Sequence, residues 1–273
     1  MTDAQWGRLA PLLPPQRPRT GRPARDHRTI VSAILWVLRT GAPWRDLPER
    51  FGPWSTVWSR FRRWTACGVW ARLLAVLQRV ADAAGEIDWT THFVDGTVVR
   101  AHQHAAGAVG GQQHEALGWS RGGFSTKVHV RAEGGGKPMA LVVSGGERHE
   151  SLYVAALLAR GHVRRAGRGR PRVRPAQLVG DKGYSYPTVR RLLAQRGVRA
   201  VIPRRRDQRP GDRRHRPFDR ALYRERNRVE RLINRLKQYR RIATRYEKRA
   251  GHYAAMLTIA ATLIWLPRFA HAP

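Results

Sequence analysis

Five short apolar runs limit the folds open to the larger, C-terminal part of the chain more than any other feature of the sequence. They are Thr91–Arg100, Ser125–Arg131, Met139–Val143, Gln177–Gly180 and Arg199–Ile202, each alternating or continuously apolar in the way of a strand. Helix-type patterns begin near Glu150, Pro187 and Phe218. Neighbouring strands followed by alternating helix and strand predict an α/β fold, a mixed sheet with helices packed on its faces.

The front of the chain reads differently. Seven of the ten tryptophans (6, 36, 44, 54, 58, 64 and 70) fall there, large side chains for the core of a small helical module. Composition changes near residues 82–90, so the expected domains are 1–85, all-α, and 86–273. Asp26 is a candidate N-cap for the helix beginning near Thr29, which Gly41–Ala42–Pro43 should stop. A second helix, from about Ser55 to Ala66, starts behind Pro53 and suggests a helix-turn-helix-like arrangement with Ser59, Arg62 and Arg63 facing a DNA groove. A plain bundle with a solvated arginine face has the same pattern.

Charge narrows the partners. With 52 Lys and Arg against 19 Asp and Glu, the formal net charge is +33, which calls for a polyanion, and nucleic acid is the common one. Two stretches concentrate it: Gly161–Arg174 has six arginines and no acid, and Pro203–Arg220 has eight arginines against three aspartates. Arg168 and Arg170 lie in an Arg-Gly-Arg-Pro tetrapeptide like the core of a minor-groove hook, although one tetrapeptide in an arginine-rich chain is a weak match and a solvated loop touching phosphates is the favoured reading. The single cysteine, Cys67, excludes an intrachain disulfide and fits a cytoplasmic protein. The longest apolar run, Tyr253–Leu266, has 14 residues, short of a membrane span, and no membrane partner is expected. No histidine spacing supports zinc.

In so acid-poor a chain, carboxylates inside apolar runs stand out. Asp95 sits in Phe93–Val94–Asp95–Gly96–Thr97 and should be buried or beside a cation; Asp181 closes Leu178–Val179–Gly180–Asp181, at the strand end where open α/β sheets place ligands. Two such aspartates suggest a site for hard divalent cations, although either alone is also a turn or cap residue. On a continuous helix from Phe218, Tyr223, Arg226, Glu230 and Lys237 would share one stripe about 60° wide, beside an apolar stripe made by Leu222, Val229, Leu232, Ile233 and Leu236. Glu230 thereby becomes a third carboxylate at the border of the buried face, and a salt-bridge lattice gives similar spacing.

At these residues the sequence resembles the DDE transposases of bacterial insertion sequences, specifically the insertion sequence five family. The resemblance runs through the block from Gly21 to Trp64, VDGT around Asp95, RGGFSTKVH from Arg121 to His129, GDKGY around Asp181, and the spaced Tyr223, Arg226, Glu230, Lys237 pattern. It implies a ribonuclease-H-like catalytic domain, two Mg²⁺ or Mn²⁺ ions, and DNA strand cleavage followed by strand transfer. Asp95, Asp181 and Glu230 would be the catalytic metal carboxylates, with Tyr223, Arg226 and Lys237 as accessory DNA contacts. The expected partners are double-stranded DNA, both terminal inverted repeats and target, and a second copy of the chain on that DNA. The short stretch between Asp181 and Glu230 leaves no room for the large β-domain some relatives insert there. A catalytically inactive DNA-binding regulator and a basic RNA-binding protein are the competing readings. The regulator has no use for three aligned carboxylates, and the RNA binder leaves the VDGT, GDKGY and terminal-helix patterns unexplained.

Overall fold

A computed structural model describes residues 1–17, 25–109, 111, 112, 114–165, 167–206, 208 and 218–266. Gly21, and residues 207 and 209–217 of the second basic stretch, lie outside the described residues. The chain forms two compact units: Met1–Leu77 with Ala101–Glu115 and Leu236–Pro273, and Gln78–Arg100 with Ala116–Arg235.

The first unit is helical. It contains α1 (Asp3–Leu9), α2 (His27–Thr40), α3 (Trp54–Ala66) and the start of α4 (Val69–Ala83). The Asp26 carboxylate accepts from the Thr29 N–H at 2.8 Å and opens α2, while Gly41, at φ +73°, closes it with its N–H on the Val37 carbonyl. Between α2 and α3 the chain runs from Gly41 to Pro53 through two 3₁₀ turns, longer than the roughly three or four residues of a compact helix-turn-helix; the short turn here, Cys67–Gly68, joins α3 to α4.

In the second unit the strands are β1 (Thr91–Ala101, its last residue counted with the first unit), β2 (Gly118–Ser120), β3 (Gly123–Ala132), β4 (Pro138–Gly145), β5 (Gln177–Val179) and β6 (Arg199–Val201). β3 runs antiparallel to both β1 and β4, with β2 extending its first residues, while β5 lies parallel to β1 and β6 parallel to β5. The expected mixed sheet is thus present. Helices α5 (Val154–Arg160) and α6 (Pro187–Gln195) cover one face, where Val94, Val142, Leu157, Leu178 and Leu193 form the core.

Arg131 is buried in this unit without a carboxylate partner among the described residues. Its guanidinium donates instead to His92 Nδ1 at 2.9 Å and to the carbonyls of Leu158 at 3.2 Å and Val173 at 2.8 Å. Burial lowers its pKa to about 9, with the charge of Arg196 adding to the effect. The bond to Val173 holds one end of the first basic loop, and antiparallel bonding between Val163 and Arg172 folds that loop back on itself, leaving Arg168 and Arg170 exposed.

The expected continuous last helix is instead three pieces: α7 (Arg220–Arg224), α8 (Asn227–Lys237) and, in the first unit, α9 (Arg240–Ala243). The break has a local cause. Glu225, Arg226 and Arg228 each bond the carbonyl three residues back, a tighter winding than an α-helix, and the chain restarts at Asn227. The common stripe drawn from Tyr223 to Lys237 therefore holds only within α8. The apolar run Tyr253–Leu266 belongs to α10 (Ala250–Trp265), apolar on all sides as a core helix is, with Tyr253, Met256, Leu257 and Trp265 buried. Among the described residues no helix is long and apolar enough to cross a membrane.

Candidate active site

The parallel pairing of β1 with β5 sets the site. Phe93 is the register partner of Val179, and Asp95 and Asp181 each lie two residues further on, one on each of two neighbouring chains. Side chains two apart on a strand share a face, and neighbouring strands are about 4.8 Å apart, so the two carboxylates come from adjacent positions at the end of the parallel pair. Asp181 also starts the 3₁₀ turn Lys182–Tyr184, accepting the Gly183 N–H at 2.8 Å.

Asp95 is half-buried and beside a cation at once. Its side chain is 15% exposed, and its Oδ2 accepts from Arg226 Nη1 at 3.0 Å. The other guanidinium nitrogen of Arg226 bonds Glu230, four residues along α8, so one arginine bridges Asp95 on the sheet to Glu230 on the helix. Because Asp95 and Val94 point to opposite faces, α8 approaches from the face that α5 and α6 leave open. Burial pushes the Asp95 carboxyl up to about 6, the charges of Asp181 and Glu150 push the same way, and the Gly96 N–H and Arg226 oppose them.

Glu150, which the sequence reading missed, is a fourth carboxylate at this strand end. It opens the 3₁₀ turn Glu150–Tyr153 and pairs with Lys127 of β3 at 3.4 Å. Glycines make room for it: a Cβ on Gly96 would stand 3.0 Å from Glu150 Cγ, and one on Gly183 would stand 3.0 Å from Glu150 Oε2. The available signal was an acid opening a helix in a chain with 19 acids in all. Tyr184 is fully buried nearby; burial, then the charges of Glu150, Asp95 and Asp181, hold its phenol neutral, and among the described residues its hydroxyl has no hydrogen-bond partner.

The acids at this end of the sheet offer carboxylate oxygens, the set that hard divalent cations take, and the charges of Asp181 and Glu150 add to burial in raising the Asp95 carboxyl. The residues fit Mg²⁺ or Mn²⁺ by type. As they stand, among the described residues no three His, Cys, Asp or Glu side chains are gathered closely enough to hold an ion. Arg226 supplies the positive charge instead.

Of the other residues singled out in the sequence, Tyr223 packs against Phe218 at 5.3 Å with its ring 6.0 Å from the Arg226 guanidinium carbon. Lys237 ends α8, two turns beyond Glu230. Ser59, Arg62 and Arg63 lie on the exposed side of α3, opposite buried Val57, Phe61 and Trp64.

Two strand-end aspartates and a helix-borne glutamate tied to one of them through Arg226 make up an acidic candidate site in the α/β unit. Comparison with known proteins agrees: residues 90–265 match the family model described as "Transposase DDE domain", and residues 1–74 match one described as "Putative transposase of IS4/5 family". The chain belongs to the DDE transposase family of bacterial insertion sequences, whose DDE domain carries the ribonuclease-H-like fold. A Sinorhizobium fredii protein named "Uncharacterized protein y4sN" is 43% identical over 108 residues, which cover 40% of this chain and 82% of that protein. The "Putative transposase for insertion sequence element IS402" of Burkholderia cepacia is 30% identical over 139 residues, 51% of this chain and 62% of that protein. The "Putative transposase for insertion sequence element IS6501" of Brucella ovis is 26% identical over 157 residues, 52% of this chain and 99% of that protein.

Proposed function

We propose that this transposase binds the terminal inverted repeats of its element and catalyses metal-dependent DNA strand cleavage and strand transfer, with Asp95, Asp181 and Glu230 as the catalytic carboxylates. The observation that carries the reading is the register of β1 and β5, which supports a shared site for the two aspartates, with Arg226 linking Glu230 to one of them. Residues 1–85 are proposed to recognise the DNA ends in a helix-turn-helix-like manner, using Ser59, Arg62 and Arg63. Residues 86–273 are proposed to hold the chemistry, two copies of the chain acting together on the DNA.

In this reading Asp95, Asp181 and Glu230 hold two Mg²⁺ or Mn²⁺ ions. Bound there, such ions would activate a water, or the freed 3′ hydroxyl of the DNA end, for in-line attack on the phosphodiester and would stabilise charge at the leaving 3′ oxygen. The chain's own groups do the rest. Asp181 is oriented by the Gly183 N–H, and Asp95 by the Gly96 N–H at 2.8 Å, so both carboxylates are preset. Arg226 offsets the charge of Asp95 and Glu230, and with cations held by those carboxylates its guanidinium, with Tyr223 and Lys237, would be available to backbone phosphates. Arg168 and Arg170 add phosphate contacts from the exposed loop.

The test is nicking of a labelled terminal fragment by the full chain with Mg²⁺, with Mn²⁺ and with EDTA. Cleavage at a defined end should require the metal and be lost in Asp181→Asn. Undiminished cleavage in chelator would sink the mechanism, and end binding without cleavage under every metal condition would favour the regulator.

A further inference from the structure

We infer that the first unit carries a second DNA site, a groove that takes an unpaired single strand through stacked bases. The inference rests on the reading that DNA is the substrate and adds the form of DNA this unit binds. The groove encloses about 1170 Å³ between the start of α3, the segment following β1 and the residues leading into α10. That exceeds the roughly 300–1,000 Å³ of a pocket for a drug-sized ligand.

Its wall is a run of flat rings. Trp44 and Trp58 lie 5.1 Å apart, Trp58 meets His252 at 5.1 Å, and His102 lies 5.0 Å from Tyr246 and 4.4 Å from His104. Trp54 at the mouth is 37% exposed, with the Arg45 guanidinium carbon 5.5 Å from its ring. Rings in a cationic groove are how proteins hold single-stranded nucleic acid whatever its sequence, because every base has a face to stack. The charge is of the right sign. Arg45 and Lys248 are exposed and have no carboxylate partner among the described residues, whereas the acid lining the groove, Glu247, is paired with Arg241 at 2.6 Å, and Glu115 is paired with Arg249 at 3.0 Å. The Trp44 indole N–H has no acceptor among the described residues. A duplex hides its base faces, so it can use the cations of this groove but not its rings.

The full chain, in buffer containing EDTA, is titrated with a fluorescent oligothymidylate of about 20 nucleotides, longer than the roughly 4–16 that one single-strand site covers, and with a duplex of the same length. Trp54→Ala should weaken oligothymidylate binding about tenfold or more, with duplex binding changed by less than about twofold and Trp54→Phe restoring most of the loss. Lys248→Ala, which removes no packing, should weaken the same binding and lower its salt dependence by about one charge. An oligothymidylate affinity unmoved by both truncations, or a duplex affinity that falls in step with it in Trp54→Ala, overturns the proposal. No metal is present and no bond is cut, so such a failure leaves the cleavage site at Asp95, Asp181 and Glu230 untouched.

Discussion

Arg226 Nη1 donates to Asp95 Oδ2 at 3.0 Å across a separation of 131 residues in sequence, and this bond ties the helix carrying Glu230 to the strand carrying Asp95. The same arginine therefore links the helix to the strand and sets one positive charge against the carboxylates of the site. Replacing it with Ala leaves the Asp95 carboxylate half-buried without its cation, at a cost of about 1–3 kcal/mol by urea unfolding without metal. Millimolar Mg²⁺ should recover part of that loss in the variant.

Asp95 itself is held at the expense of stability. Its folded carboxyl titrates at about 6, above the roughly 3.9 of an unfolded aspartate, so folding binds the proton more tightly and stability falls as pH rises from about 4 to 6. Asp95→Asn should raise stability at pH 7.5 by about 1–3 kcal/mol while abolishing cleavage, and the gain should vanish below about pH 4.

Histidine titration runs the other way in an overlapping window. His129 is buried, stacked on Tyr153 at 4.1 Å and hydrogen-bonded through Nε2 to the Ser144 hydroxyl at 2.8 Å; burial, helped by Lys127, lowers its pKa to about 4. A folded pKa below the unfolded value means that stability is full above about pH 6.5 and is lost on acidification toward 4, by up to about 1.4 kcal/mol per pH unit. His129→Gln should flatten that limb in urea titrations, separating it from the opposing limb of Asp95.

The first unit depends on one buried ion pair. Arg241 and Glu247 are 7% and 2% exposed and 2.6 Å apart, and Arg241 also donates to the carbonyls of Gly41 and Ala42 at 3.1 Å, behind the end of α2. Removing one partner strands the other charge, so Arg241→Ala should cost about 3–5 kcal/mol, whereas replacing both with apolar residues should cost much less.

What the sequence disclosed follows from which forces are local. The strands around Asp95 and Asp181 were legible because a lone acid in an apolar run has few explanations, and the Asp26 and Gly41 ends of α2 because caps are written in adjacent residues. The break at Glu225–Arg226 was not, since an α-helix and a 3₁₀ turn differ by one residue of hydrogen-bond reach and periodicity blurs them. Glu150 carried only the weak signal of an acid opening a helix, because its place beside Asp95 depends on the missing side chains of Gly96 and Gly183, which only the fold brings to it. The C-terminal helices share a compact unit with the N-terminal ones, a long-range contact that no periodic pattern announces.

The paired roles proposed for α3 and α8 are most directly separated on one labelled end fragment, assayed in parallel by gel shift and by nicking in Mg²⁺. Glu230→Gln keeps helix propensity and size but removes a carboxylate, so nicking should fall by about two or more orders of magnitude while end binding stays within about twofold of wild type. Arg62→Ala with Arg63→Ala should instead weaken end binding and reduce its salt dependence by about two charges. A Glu230→Gln protein that nicks as fast as wild type would reduce Glu230 to the salt-bridge partner of Arg226 and contradict the catalytic assignment.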